Sequence, residues 1–187
     1  MIELVKHTET MQKSKRADPI IIGLTGSIGS GCSEAAKYLK DNFGYRIYKL
    51  SDIIRDHISS NAKSYRESGK ISDPSKPTRA EFQKIGNELR QKNGYGYLAE
   101  QVLKKYPKNK PVVFDGIRNP YEIRILNKFP NFFTIAIDAS FEKRWERLKE
   151  RYSGNQKEFE EDDKRDHSES MDFGQQVDKC LYFSDIQ

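Results

Sequence analysis

At 187 residues, with 35% hydrophobic and 33% charged residues, the chain is long enough for one domain with a proper core beneath a long polar surface. No apolar run approaches the roughly 20 residues needed to cross a bilayer, residues 1–16 lack the apolar stretch of a secretory signal, and two cysteines form neither a disulfide framework nor a zinc set, so a reducing cytoplasm is the expected compartment. The net charge of +5 is uneven: from Gly154 onward four Lys/Arg face ten Asp/Glu, leaving +11 on the rest, a balance that suits a polyphosphate site or a nucleic acid.

Residues 1–18 read as a polar leader and 19–187 as one domain. His7-Thr8-Glu9 matches a zinc-deaminase pattern by letters only, because neither cysteine has a partner at the required spacing. Ile20 to Thr25 is a β-branched run, apolar on both faces, as in a buried parallel strand. Glycines follow at 26, 29 and 31, and a helical pattern opens at Ser33. Tyr45 to Leu50 is a second strand and Asp52 to Ser59 a short helix. Asn61 to Pro77 has the composition of a mobile loop. Thr78 and Glu81 form a capping-box signature for a helix to about Asn93. A helix over 97–106 leads to a strand at Pro111 to Phe114, with Asp115 at its end. Asn119-Pro120 opens another helix, Phe132 to Ile137 is a fourth strand, Phe141 to Tyr152 a patterned helix, and Gly174 to Phe183 the last helix. Residues 184–187 read as the entrance to one more strand, where the sequence either ends naturally or is cut from something longer. Alternating strands and helices predict an α/β fold, a three-layer sandwich with a parallel sheet and flanking helices.

The stretch Gly26-Ser27-Ile28-Gly29-Ser30-Gly31-Cys32-Ser33 fits G-x-x-x-x-G-K-[ST] except that Cys32 replaces the lysine. Glycines let successive amides point inward and the following helix adds its positive end, so phosphate binding survives the change. Ser33 supplies the hydroxyl that ligates Mg²⁺, and Asp115 stands where an aspartate can hold the ion through water. What is missing is the point charge that follows the β- and γ-phosphates.

Several arginines are placed to supply charge. On the helix from Thr78, Phe82, Ile85 and Leu89 face the core. Arg79, Gln83, Gly86 and Arg90 share a neighbouring sector of about 60°, either a shelf for a phosphate or base or a solvated face. On the helix from Phe141, the stripe Phe141, Trp145, Leu148 and Tyr152 separates glutamates from Arg144, Arg147 and Arg151. Segregated guanidinium groups point to a phosphate-facing edge, with a solvated basic face as the alternative. Arg118 follows Asp115 on its loop. Asp52 is placed to accept a proton from an attacking hydroxyl or to cap a helix, and Arg55, one turn on, to hold an acceptor phosphate.

Together these residues resemble the P-loop kinase superfamily, with dephospho-CoA kinase and deoxynucleoside monophosphate kinase as similar enzymes. Gly29 to Ser33, Asp115-Gly116-Ile117-Arg118-Asn119-Pro120, and Arg165-Asp166 with Gly174-Gln175-Gln176-Val177 are most similar to the N-terminal kinase-like domain of deoxycytidylate (dCMP/dCTP) deaminase-family proteins. The resemblance implies P-loop nucleoside-triphosphate-hydrolase-type architecture, donor phosphates on Gly26 to Ser33, Mg²⁺ near Ser33 and Asp115, and a lid at about 153–172. It also implies a linked deaminase domain regulated by a bound nucleoside triphosphate or deoxynucleotide. An active nucleotide kinase and a basic nucleic-acid-binding module remain alternatives, and a homo-oligomer stays open. No membrane partner is expected.

Overall fold

The computed structural model describes residues 19–107, 109–167 and 172–187. The polar leader, with His7-Thr8-Glu9, and residues 168–171 of the expected lid lie outside the described residues.

Four strands form one parallel sheet in the order β2-β3-β1-β4: β1 is Ile21–Thr25, β2 Arg46–Lys49, β3 Val112–Ile117 and β4 Phe132–Ala136. The two central strands carry the apolar runs because helices cover both their faces. Ile21, Val112 and Phe114 enter one core cluster, while Ile22, Leu24 and Val113 alternate into the other. The first face is covered by α2 (Leu50–Ser60), α4 (Arg79–Asn93) and α5 (Tyr97–Leu103), which supply Ile53, Ile54, Ile85, Leu89 and Leu98. The second is covered by α1 (Cys32–Phe43), with Ala36 at its centre.

Local signals set several boundaries. The α4 N-terminus carries the full capping box of Thr78 and Glu81, and α6 (Pro120–Leu126) carries a second, from Asn119 and Glu122, with proline in the first turn. β3 runs three residues beyond the expected Phe114, so Asp115 lies inside the strand rather than past its end. The 61–77 segment, expected as a loop, contains α3 (Ala62–Glu67). Ile71 is 1% exposed, Tyr65 packs on the core, and Lys70 pairs with Glu88 at 2.5 Å. Two apolar anchors and one ion pair are enough to seat an otherwise polar stretch.

The charged stretch after Gly154 is also structured. It forms α8 (Gln156–Asp166), whose Phe159 is fully buried against Phe141, Trp145, Leu148 and Tyr152 from α7 (Phe141–Leu148) and the turn after it. After α9 (Val177–Tyr182), Ile186 makes a parallel bridge to Ile135, and its carbonyl accepts from Ala136 at 2.8 Å. The last residues thus make an isolated bridge beside β4. No helix of the described residues is long and apolar enough to cross a membrane.

Candidate phosphate-binding site

The glycine loop joins β1 to α1 and curls tightly, with the Ser30 amide donating to the Ser27 carbonyl at 3.0 Å. Gly31 is the residue before α1 and has φ 119°, in the left-handed region where a side chain is strained. Gly26 has a different reason: a Cβ there would lie 2.3 Å from the Ile137 carbonyl oxygen and 2.4 Å from Ser30 Oγ. The loop is therefore packed against the end of the sheet, and its residues Gly26 to Ser33 line a cavity of 990 Å³.

Ser33 Oγ donates to Asp115 Oδ2 at 2.9 Å on the cavity wall. Both are hard oxygen donors, the pair that a P-loop site uses for Mg²⁺, so the residues fit that ion. Among the described residues no group of three or more His, Cys, Asp or Glu side chains forms a metal cluster. A P-loop site needs none, since phosphate oxygens and water complete its shell. Burial raises the pKa of the Cys32 thiol, against a lowering hydrogen bond from Ser30, and its Sγ lies 3.5 Å from Ser30 Oγ. The thiol is thus neutral and adds no charge.

The cavity wall brings together the loop residues Gly26, Ser27, Gly29, Ser30, Gly31, Cys32 and Ser33 with Asp115, Arg118, Arg55, Arg79, Gln83, Arg90, Arg147 and Arg151. Their environments differ. Arg90 is 1% exposed and its Nε donates to the buried Glu122 at 2.9 Å. Arg79 and Arg118 both pair with Asp166 of α8. Burial lowers the pKa of Arg79 against that carboxylate, whereas for Arg118 the same burial is outweighed by Asp166 and the pKa is raised. Arg147 Nη1 donates to the carbonyls of Gly29 and Ser30, each at 2.9 Å, and Arg151 is exposed.

Two expected site residues lie elsewhere. Arg144 sits behind the loop. Its guanidinium donates to the carbonyls of Ala139 and Ile28, at 3.0 and 3.1 Å, and forks onto Asp163 at 2.5 and 2.9 Å. Those contacts use the guanidinium to fasten α7 and α8 to the loop. Asp52 is more than half exposed and lines a smaller neighbouring cavity, 3.9 Å from Arg55.

Some residues escaped the sequence reading. Ser27 Oγ is 3.1 Å from His167 Nε2, whose Nδ1 is 2.7 Å from Asp178, so the end of α8 is pinned to the loop and to α9. No local pattern announces that contact across 140 residues. Lys49 ends β2 and lines the cavity 3.9 Å from Asp115. Its position carried a signal, because ligands of parallel sheets gather at the carboxyl ends of the strands.

A parallel sheet whose first strand feeds a curled glycine loop, with serine and aspartate converging beyond it, defines a P-loop nucleotide-binding fold. The chain belongs to the AAA domain family, which matches residues 22–168, and to the UPF0200 proteins. It is 32% identical to a UPF0200 protein of Pyrococcus abyssi over 163 residues, 83% of this chain and 80% of that one. It is 33% identical to one from Sulfurisphaera tokodaii over 131 residues, 70% of this chain. The match spans 66% of that relative's length, just under two thirds. Among solved structures, TT1252 from Thermus thermophilus superposes with a TM-score of 0.55 at 19% identity, over 90% of this chain and 87% of that one. The shikimate kinase of Aquifex aeolicus superposes at 0.44, with 18% identity over 89% and 84%.

Proposed function

We propose that this chain binds a nucleoside triphosphate or deoxynucleotide together with Mg²⁺, and that it acts as a nucleotide-responsive domain rather than a fast kinase. The observation that carries the reading is the curled loop facing a cavity of 990 Å³, at the upper end of the usual ~300–1,000 Å³ of small-molecule sites. Ser33 would ligate the ion directly and Asp115 through water. The ion would neutralise phosphate charge. The chain's own part is to hold the phosphates on the loop amides and to surround them with arginines.

Transfer chemistry is less well provided for. Cys32 cannot follow charge onto a moving phosphoryl group, and Asp52, the residue placed in sequence to accept a proton, lines the neighbouring cavity. Arg118 inside the phosphate cavity favours the second reading, an active (deoxy)nucleoside monophosphate kinase or dephospho-CoA kinase-like enzyme, because an arginine can stabilise charge in the transition state. On the motif resemblance, nucleotide occupancy would regulate a linked deaminase domain. Calorimetric titration with ATP, dCTP and dCMP, with and without Mg²⁺, followed by a coupled phosphotransfer assay, tests these readings. Absence of heat with all three nucleotides would remove the nucleotide-binding proposal.

A further inference from the structure

The usual loop lysine follows the β- and γ-phosphates, and this loop has a neutral thiol in its place. Positive charge must reach the terminal phosphate from elsewhere on the cavity wall, and most cations there are already engaged. Arg90 is committed to Glu122, Arg79 and Arg118 share Asp166, and Arg147 is bound to loop carbonyls. Arg55 lies over the Phe82 ring at 5.4 Å, and Arg151 and Lys76 are exposed as Lys49 is, so what sets Lys49 apart is its place beside the Ser33–Asp115 pair.

Lys49 is different. It is the last residue of β2 and is paired in parallel register with Asp115 of β3. Its Nζ is 3.9 Å from Asp115 Oδ2, the same oxygen that accepts the Ser33 hydroxyl at 2.9 Å. At 3.9 Å the contact is an ion pair but not a hydrogen bond, so Asp115 leaves the ammonium donors unused. The side chain is 46% exposed and lines the same cavity as Ser33, to which Asp115 links it. A compact ammonium on a flexible four-carbon stem can follow a phosphate as a loop lysine does.

We propose that Lys49 replaces the absent loop lysine, binding the terminal phosphate of a nucleoside triphosphate from the β2 side of the cavity. The assignment rests on the nucleotide-binding reading above and deepens it: the pocket then distinguishes triphosphates from diphosphates. A lysine on β2 reaches only the far end of the phosphate chain, whereas the loop amides hold the rest.

The test is calorimetric titration of the wild type, Lys49→Met, Lys49→Arg and Lys49→Met/Cys32→Lys with ATP, ADP and AMP in the presence of Mg²⁺, with thermal melting to verify folding. Loss of a hydrogen bond to a charged group predicts that Lys49→Met weakens ATP binding about tenfold or more. ADP should weaken less and AMP not at all, Lys49→Arg should retain most of the ATP affinity, and the double variant should recover it. If Lys49→Met binds ATP as the wild type does, or loses ATP, ADP and AMP equally, the assignment falls while the nucleotide-binding reading stands. If the wild type binds none of the three, both fall.

Discussion

Arg79 Nη2 donates to both carboxylate oxygens of Asp166, at 2.9 and 2.7 Å, across 87 residues of chain. Asp166 is fully buried and also accepts from Gln83 Nε2 at 2.6 Å and from Arg118. One carboxylate on α8 therefore ties α4 to the end of β3 and holds two cavity arginines. Removing its charge leaves both guanidinium groups undercompensated in a desolvated site. Asp166→Asn, which keeps the shape, is expected to cost about 3 kcal/mol, the lower end for a broken buried pair because Arg79 is partly exposed. Urea unfolding measures it, and a loss below about 1 kcal/mol would mean that water already screens this network.

The attachment of α8 should depend on pH at both ends. His167 has its pKa raised above 6.5, chiefly by its hydrogen bond to Asp163, against burial and with help from Asp178. A raised folded value means that its stabilisation is full below 6.5 and is lost as pH rises through the folded value. For Asp163, burial pushes upward, but hydrogen bonds from His167 and Arg144 prevail and bring it from 3.8 down to about 2. Its contribution is present above 3.8 and is lost as pH falls toward 2. The single tryptophan, Trp145, packs on Phe159 of α8 with ring centroids 5.6 Å apart, so its emission reports the contact. Expected is a plateau between about pH 4 and 6.5, with loosening on either side. His167→Gln should remove the upper limb and, because His167 is one of the donors that hold Asp163 down, also move the lower limb to higher pH.

The Thr78–Glu81 capping box, the helix start at Asn119-Pro120 and the glycine loop were legible in sequence because each is written within a few residues. The second box, closed by Glu122, came only with the structure. The roles of the charges were not legible, because each depends on a distant partner. Arg144 and Arg147 share one face of α7, yet Arg144 turns to Asp163 behind the loop and Arg147 to the loop itself. Asp162 and Asp166 look like solvated charge in an acidic run, and both are buried. A single apolar residue, Phe159, seats that helix, too sparse a signal for periodicity to register. Asp52 is the reverse case: a suggestive position after β2, with a side chain that the start of α2 turns toward the neighbouring cavity.

Gly26 gives a test of the loop's packing that is separate from its charge. A methyl group there meets the Ile137 carbonyl oxygen at 2.3 Å and Ser30 Oγ at 2.4 Å, and the carbonyl belongs to backbone that cannot simply rotate away. Gly26→Ala must therefore shift the loop off the sheet end. A stability loss of about 1–3 kcal/mol is expected, with nucleotide binding reduced well beyond that of Arg151→Ala, whose side chain is exposed. Equal binding by Gly26→Ala and the wild type would show that the observed loop conformation is not the binding one.

In phosphoryl transfer, positioning and electrostatics supply nearly all the acceleration, and loss of one well-placed donor costs on the order of 10²–10³ in rate. Here the loop donor is a neutral thiol and Arg118 is shared with Asp166. The isolated domain is therefore expected to bind nucleotide and to transfer phosphate to nucleoside monophosphates far more slowly than the ~1–100 s⁻¹ of kinases. A coupled assay with dCMP and other monophosphates measures this, and turnover within that range would refute it. Cys32→Lys then separates two causes of slowness. If it raises turnover, the acceptor side is intact and only loop charge was lacking. If it tightens ATP binding without raising turnover, the limit lies at the proton acceptor, in keeping with Asp52 standing outside the phosphate cavity.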